Sequence, residues 1–115
     1  MRRLLLVANP SASGFTGALF REVSSILSEA YEVTAAWPNG PDDARHSAEE
    51  AARSGYDVVV AMGGDGVVHH VGNGLVHTDT ALGILPVGTT NVVARILGLP
   101  RNPKKAAQAL SLIHI

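Results

Sequence analysis

The chain has 115 residues, a formal net charge of −1, and 46% hydrophobic against 17% charged residues. This composition is typical of one folded domain and excludes a disordered tail or a coiled coil. Nine basic residues are balanced by ten acidic ones, and aromatic residues make up only 4%. We therefore expect no nucleic-acid partner, because both the basic footprint and the stacking platforms of such proteins are missing from the sequence.

The chain contains no cysteine. This excludes disulfide frameworks, thiolate nucleophiles and cysteine-ligated zinc. The first apolar run, residues 4–8, is too short for a signal peptide, and no apolar run approaches the length of a transmembrane helix. The sequence predicts a soluble, cytoplasmic domain.

Short apolar runs alternate with amphipathic segments, which is typical of strands and helices that follow one another. The predicted strands cover residues 4–8, 32–36, 57–62 and 81–85. The predicted helices cover about residues 16–30, 44–54, 67–76 and 90–97, with a last helix opening at Pro103. Thr16 can cap the first helix. Asp42 or Asp43 can cap the second, and Gly55 can end it.

The element order β-α-β-α-β-α-β-α with short connections predicts a three-layer α/β fold. Its parallel, Rossmann-like sheet would be covered by helices on both faces. In such sheets, ligands bind at the carboxyl ends of the strands. Loops of unusual composition follow three of these ends, at residues 9–14, 63–66 and 86–91. We therefore expect the three loops to converge on one crevice.

The loop Gly63-Gly64-Asp65-Gly66 lies between a predicted buried strand and a predicted helix. It lacks the Lys-Ser/Thr of a Walker loop, and His69 stands where a dinucleotide fingerprint has its third glycine. Consecutive glycines let backbone amides approach a phosphate at a helix N-terminus. Asp65 would repel that phosphate unless a cation bridged them, and Mg²⁺ is the oxygen-seeking candidate. The alternative is a plain tight turn with Asp65 as N-cap.

The other two loops also carry polar groups. Gly88-Thr89-Thr90-Asn91 offers hydroxyl and amide groups suited to a phosphate or ribose, with a capped turn as the alternative. Residues 9–14 either contact the far end of a nucleotide or form a flexible surface loop.

Histidines 69, 70 and 77 invite a metal interpretation. No two of them have His-x-x-x-His spacing, and adjacent helical residues point about 100° apart, so a zinc site is disfavoured. A general-base role for His69 or His70 stays open, although the helix surface is the preferred location. Trp37, which opens the breaker segment Trp-Pro-Asn-Gly-Pro, is interpreted as a packing residue.

Three motifs together resemble the catalytic domain of the diacylglycerol kinase family, which is related to sphingosine kinases and NAD kinase. The motifs are Asn9-Pro10 with Ser13-Gly14, Gly63-Gly64-Asp65-Gly66 with Asn73-Gly74-Leu75, and Leu85-Pro86-Val87-Gly88-Thr89-Thr90-Asn91 with Ala94-Arg95. The resemblance covers nearly the whole chain. It implies that residues 1–110 are the N-terminal, ATP-binding lobe of a truncated catalytic domain and that residues 111–115 are a tail of doubtful origin.

The resemblance implies a lipid kinase that uses ATP and Mg²⁺ to phosphorylate a hydroxyl of a diacylglycerol-like lipid. Asp65 would be the catalytic and metal-binding residue. The nucleotide-binding residues carried over by position are Asn9, Pro10, Ser11, Ser13, Gly14, Gly63, Gly64, Asp65, Gly66, Val67, Thr89 and Asn91.

Several features depart from the family pattern. Val67 stands where the family usually has Thr, and His70 stands near a usual Glu. The family continues into a second lobe that binds the lipid, which lies outside this sequence. We therefore expect negligible kinase activity from this chain alone, and lipid binding and any peripheral membrane contact only in a full-length protein.

Two other functions are kept as alternatives. One is an enzyme like NAD kinase, although the downstream Asn-Glu pair that such an enzyme needs is missing from the sequence. The other is a non-catalytic nucleotide-binding or regulatory module, which Val67 and the missing lobe favour.

Overall fold

The computed structural model describes residues 2–12 and 14–87, and strands alternate with helices throughout. The elements are β1 (Arg2–Ala8), α1 (Gly17–Ser28), β2 (Tyr31–Ala36), α2 (Pro41–Arg53), β3 (Val58–Gly63), α3 (Asp65–Leu75) and β4 (Ala81–Pro86). The four predicted strands and the first three predicted helices are confirmed, with ends shifted by a few residues. The helices predicted near residue 90 and at Pro103 lie outside the described residues.

The described strands form one parallel sheet in the order β2-β1-β3-β4. The chain first winds outward from β1 to β2, then crosses back over β1 through α2, and continues outward from β3 to β4. The winding direction therefore reverses between β1 and β3, which is the point where doubly wound sheets bind ligands.

The sheet separates two apolar cores. On one face, Leu27 of α1 belongs to the same buried cluster as Leu6 and Val60. On the other face, α2 and α3 share a buried cluster with Val7 and Val59, the neighbouring residues in each strand. Central parallel strands buried on both faces read as continuous apolar runs, which is why the sequence pattern identified them. The predicted α/β fold with helices on both faces is confirmed.

Two predicted helix-end residues have the roles assigned to them. Thr16 caps α1, where its Oγ1 accepts a hydrogen bond from the N–H of Leu19 at 3.0 Å. Gly55 follows α2 with a φ of 83°, in the left-handed region that favours glycine, and so ends that helix.

The predicted N-cap of α2 is wrong. Gly40 is the N-cap, and Pro41 occupies the first turn, where its fixed φ suits a helix start. Asp42 and Asp43 both lie inside the first turn. The Asp43 carboxylate instead accepts a hydrogen bond from the N–H of Asn39 at 2.9 Å, which ties down the connection that enters the helix.

Small residues allow α2 and α3 to pack closely. A Cβ atom added to Gly74 would lie 2.5 Å from the carbonyl oxygen of Arg45 and 2.8 Å from the Cβ of Ala48. The buried alanines of α2, Ala44, Ala48 and Ala51, therefore face α3 as well as the sheet. Among the helices of residues 2–12 and 14–87, none is long and apolar enough to cross a membrane.

Gly74→Ala should destabilise the domain by about 1–3 kcal/mol, the usual cost of overpacking a tight contact. Gly72→Ala is the matched control in the same helix, because its added Cβ would lie 3.7 Å from the Leu82 Cδ2, an ordinary contact distance. Alanine is the better helix former, so the control should be at least as stable as the parent. Urea unfolding followed by circular dichroism measures both variants. Equal stability of the two variants would contradict the close packing of α2 on α3.

Candidate functional site

Asn9 and Gly63 lie side by side where the two central strands end. The Asn9 N–H donates to the carbonyl oxygen of Met62 at 3.0 Å and extends the pairing of β1 with β3 by one residue. A Cβ added to Gly63 would lie 3.3 Å from the Asn9 Cβ and 2.6 Å from the Cγ1 of Val67. Glycine at position 63 is thus required by close packing, and the first two predicted loops converge as expected.

The chain after β4 starts from the same edge. The Val87 N–H donates to the carbonyl oxygen of Gly63 at 3.1 Å. Thr89 and Asn91, the predicted site residues of this third loop, lie outside the described residues, as does Ser13. Their assigned roles stay predictions.

The connections that follow β1 and β3 leave the sheet in opposite directions. α1 packs on one face of the sheet, and α3 packs on the other. Adjacent strands whose connections diverge in this way open a crevice between their ends. Residues 9–12 and the first turn of α3 flank that crevice.

The N-terminus of α3 begins at this crevice. Its N-cap is Gly64, whose carbonyl oxygen accepts from the N–H of Val68 at 3.3 Å, and no side-chain cap is present in the described part of the chain. Asp65 is the first helical residue, so the interpretation of Asp65 as N-cap is wrong. The amides of a helix's first turn and its positive dipole end attract anions.

Gly64 and Gly66 are glycines for a different reason from Gly63. Gly64 has φ −87° and ψ −170°, which any residue can adopt, and Gly66 lies inside α3. A Cβ added to either would meet no described atom within 4 Å. Within residues 2–12 and 14–87, neither packing nor backbone conformation requires glycine at these two positions. The missing side chains instead leave open space beside the first turn of α3, which allows a ligand to approach the backbone.

A cleft of about 580 Å³ opens beside this turn. Three chain segments enclose it, namely the loop after β1, the connection from β2 into α2, and the first turns of α3. Its lining residues are Asn9, Pro10, Ser11, Pro38, Asn39, Gly40, Pro41, Ala44, Gly66, Val67 and His70. The walls are mostly apolar, with amide, hydroxyl and imidazole groups among them, which is typical of a small-molecule site.

The structure divides the predicted nucleotide-binding residues into two groups. Within the described chain, the lining of the cleft includes the predicted residues Asn9, Pro10, Ser11, Gly66 and Val67. It does not include the predicted residues Gly14, Gly63, Gly64 and Asp65.

The predicted residues outside the lining have other positions. Gly14 has a φ of 83°, so a turn requires glycine there. Gly63 is buried beneath the loop, while Gly64 and Asp65 form the turn that leads to Gly66.

The sequence prediction missed the wall that the connection from β2 to α2 contributes. The signal was present as the breaker segment after β2, which was interpreted only as an interruption of regular structure. Trp37 begins this segment and is 47% exposed. Its ring centroid lies 4.5 Å from that of Phe20 and 6.0 Å from that of Phe15, so it packs on α1 immediately before the cleft-lining Pro38.

The two adjacent histidines of α3 have different surroundings. His70 lines the cleft. The Nε2 of His69 lies 3.2 Å from the Nδ2 of Asn73, one helical turn further along, and His69 is not among the described lining residues. In residues 2–12 and 14–87, no three His, Cys, Asp or Glu side chains are grouped so that they could hold a metal ion.

A larger groove, of about 790 Å³, lies at the opposite end of the sheet. It is bounded by the C-terminal ends of α2 and α3, and acidic and basic side chains such as Arg53, Asp57 and Asp79 line it together. This groove faces the amino ends of the strands and the C-terminal ends of the helices. Ligands of parallel sheets bind at the carboxyl ends, so the smaller cleft is the better candidate despite its size.

Comparison with known proteins identifies the family. Residues 3–115 match the sequence profile of the diacylglycerol kinase catalytic domain. The chain therefore belongs to the diacylglycerol kinase catalytic domain family, and the resemblance seen in its motifs is confirmed.

Individual relatives agree with this assignment. A diacylglycerol kinase of Bacillus subtilis is 38% identical over 105 residues, which are 88% of this chain and 35% of that protein. A diacylglycerol kinase of Mycobacterium tuberculosis is 52% identical over 66 residues, 56% of this chain and 21% of that protein. The chain thus spans about a third or less of the length of these curated relatives.

Solved structures support the same fold. The crystal structure of a diacylglycerol kinase from Bacillus anthracis is similar with a TM-score of 0.88 and 30% identity, covering 98% of this chain and 43% of that one. The solution structure of a phosphate-loop protein has a TM-score of 0.58 at 19% identity and covers 99% of this chain and 97% of that one. The second match shows only that a protein of similar length has a similar fold.

Alanine substitutions in the loop should distinguish the glycine that close packing requires from the glycine that borders open space. Gly63→Ala should cost about 1–3 kcal/mol of stability, because its Cβ would collide with Val67, whose branched side chain is stiff. Gly64→Ala is the matched control and should change stability by no more than about 0.5 kcal/mol. Chemical denaturation of both variants measures the difference. If Gly64→Ala lost as much stability as Gly63→Ala, the space beside α3 would not be open as described.

Proposed function

We propose that this chain is the ATP-binding lobe of a lipid kinase that transfers the γ-phosphoryl group of ATP to a hydroxyl of a diacylglycerol-like lipid. Family membership supports the reaction class. The observation that carries the proposal is the space that the described residues leave open at Gly64 and Gly66, beside the N-terminus of α3. Glycines that neither packing nor conformation requires are explained by a phosphate group that approaches the backbone.

The nucleotide would lie with its phosphates at the first turn of α3 and its nucleoside in the cleft. Pro10, Pro38 and Pro41 give the cleft apolar walls against which a base can pack. Asn9 and Asn39 add amide groups to the lining. The Asn9 Oδ1 accepts a hydrogen bond from the Ser11 N–H at 3.0 Å, which fixes the shape of the loop after β1 before a ligand arrives.

Asp65 fits a magnesium site that the nucleotide completes. Mg²⁺ is usually bound by one or two carboxylates together with substrate phosphates, and it does not need a cage of protein ligands. The described residues offer no cluster of three metal-ligating side chains, whereas Asp65 supplies one carboxylate at the helix start. When bound there, the cation would offset the repulsion between the negative charge of the Asp65 carboxylate and the negative charge of the nucleotide phosphates.

Val67 would contribute to this site through its backbone. Its side chain is only 8% exposed and belongs to the core shared by α2 and α3. A valine has no hydroxyl to offer a phosphate, so any phosphate contact at this position has to come from the backbone amide. This departure is the feature that favours the second candidate, a nucleotide-binding module without catalysis.

We assign the acceptor side of the reaction to a further lobe of a longer protein. The chain corresponds to 35% of the length of its Bacillus subtilis relative and to 43% of the solved Bacillus anthracis chain. In this proposal, the lipid, the group that takes the proton from its hydroxyl, and any peripheral membrane contact belong to the remaining length.

Binding of MgATP to the 115-residue chain tests the nucleotide site. We expect calorimetry to show weak binding that is stronger with Mg²⁺ than with EDTA. Asp65→Asn should weaken MgATP binding by about tenfold to a hundredfold, since a charge-assisted interaction is typically worth about 1.5–3 kcal/mol. Asp79→Asn, at the opposite end of the sheet, is the control and should bind like the parent. No MgATP binding by a sample with a native circular dichroism spectrum would refute the proposed site.

Lipid phosphorylation tests the division of labour between the lobes. The 115-residue chain should transfer no measurable phosphate from radiolabelled ATP to diacylglycerol in mixed micelles, because the proposed acceptor groups lie elsewhere. Clear product formation by the purified chain would show that the acceptor site is present in it. MgATP binding without phosphoryl transfer in a longer protein that includes the second lobe would favour the non-catalytic module.

A further inference from the structure

Two Asn-Gly pairs occur in the chain, and they lie in different structural contexts. Asn39-Gly40 belongs to the connection between β2 and α2, whereas Asn73-Gly74 lies inside α3. Both asparagines are exposed to solvent. A glycine has no Cβ to shield its backbone nitrogen from the preceding side chain, so such pairs are prone to deamidation. Because exposure is the same in both pairs, the backbone decides which of them can react.

Deamidation of an Asn-Gly pair needs only the chain and water. The backbone nitrogen of the glycine attacks the side-chain carbon Cγ of the asparagine. A bond forms between these two atoms, the bond between Cγ and Nδ2 breaks, and the proton of the glycine N–H passes through solvent to the departing ammonia. Water then opens the resulting succinimide ring at either carbonyl and yields aspartate or isoaspartate. The reaction therefore requires a glycine N–H that is not committed elsewhere and a backbone that can rotate.

The pair Asn39-Gly40 meets these requirements. Within residues 2–12 and 14–87, the Gly40 N–H donates no hydrogen bond and the Asn39 side chain forms none. A Cβ added to Gly40 would meet no described atom within 4 Å, so the space on that side of the backbone is open. Asn39 is held only through its own N–H, which donates to the Asp43 carboxylate at 2.9 Å. The side-chain amide is therefore available to the Gly40 nitrogen.

The pair Asn73-Gly74 is protected by its surroundings. Gly74 is a buried residue of α3, where backbone N–H groups take part in the hydrogen bonds of the helix. An added Cβ there would lie 2.5 Å from the carbonyl oxygen of Arg45, so the backbone has no room to rotate. The Nδ2 of Asn73 also lies 3.2 Å from the Nε2 of His69. Attack on Asn73 therefore first requires local opening of α3.

We infer that Asn39 is a site of spontaneous deamidation and that its modification changes the wall of the cleft. Asn39 is one of the cleft-lining residues, and the reaction replaces its neutral amide with a carboxylate. The isoaspartate product also lengthens the backbone of the connection into α2 by one methylene group. The new charge repels the phosphates of a nucleotide in the cleft. This last effect rests on the proposed function, whereas the modification itself does not.

Peptide mapping by mass spectrometry measures the reaction in the folded 115-residue chain, incubated in mildly alkaline buffer. Trypsin cleaves after lysine and arginine. It releases residues 22–45, in which Asn39 is the only asparagine, separately from residues 54–95, which contain Asn73. We expect Asn39 to convert at least about tenfold faster than Asn73, because only Asn73 requires local opening of a helix. In the urea-unfolded chain, the two rates should agree within about threefold, since the structural difference is then lost.

Gly40→Ala is the matched variant for the reaction. The backbone of Gly40 is extended, with φ 177° and ψ −178°, which alanine adopts before a proline, and the added Cβ meets open space. Circular dichroism should therefore show a native fold. Conversion of Asn39 should slow by about tenfold, because the Cβ shields the attacking nitrogen. An unchanged rate in this variant, or a rate at Asn39 no faster than at Asn73 in the folded parent, would refute the modification site.

Asn39→Asp measures what the product does to the cleft. This variant should weaken MgATP binding by about threefold, through a charge repulsion that solvent partly screens. Asn73→Asp is the control, because it adds the same charge beside the groove at the opposite end of the sheet and should bind like the parent. Equal MgATP affinity of Asn39→Asp and the parent would refute the effect on the cleft and leave the nucleotide site standing. If the folded parent binds no MgATP, the proposed function fails, whereas the conversion rates still decide the modification site.

Discussion

The pairing of β1 with β3 is the constraint on which the candidate site depends. It brings together two strand ends whose following helices pack on opposite faces of the sheet. The backbone at Gly63 lies too close to Asn9 and Val67 to carry a side chain. A glycine at this position therefore allows the two loops to meet. The order of the strands in the sheet therefore creates the crevice. The cleft beside it is lined in part by α2 and α3, which pack on the same face of the sheet.

The glycines of the chain have physically distinct functions. Gly74 allows two helices to approach, and Gly63 allows a strand end to pack under a loop. Gly64 and Gly66 border open space at the N-terminus of α3, where backbone amides and the helix dipole favour an anion. The first two residues stabilise the scaffold that holds the other two. A glycine that packing requires and a glycine that borders open space can thus stand next to each other in one loop.

Much of the fold could be predicted from the sequence, because the central strands are buried on both faces and their apolar runs are continuous. The convergence of the first two loops followed from the rule for parallel sheets. Local errors arose where backbone conformation, which the sequence encodes weakly, decides the outcome, as at the N-caps Gly40 and Gly64. The cleft wall from the connection between β2 and α2 was missed because it depends on how α2 packs against α3, a contact between residues far apart in sequence.

We propose that a nucleotide binds at the carboxyl edge of this sheet, and amide chemical-shift mapping tests this proposal most directly. In a ¹⁵N-labelled sample titrated with MgATP, the largest shifts should occur at Asn9, Gly64, Gly66 and His70. Amides that border the larger groove at the opposite edge, such as those of Thr78 and Asp79, should stay unchanged. Shifts concentrated at that opposite groove, or no shifts at saturating MgATP, would contradict the account.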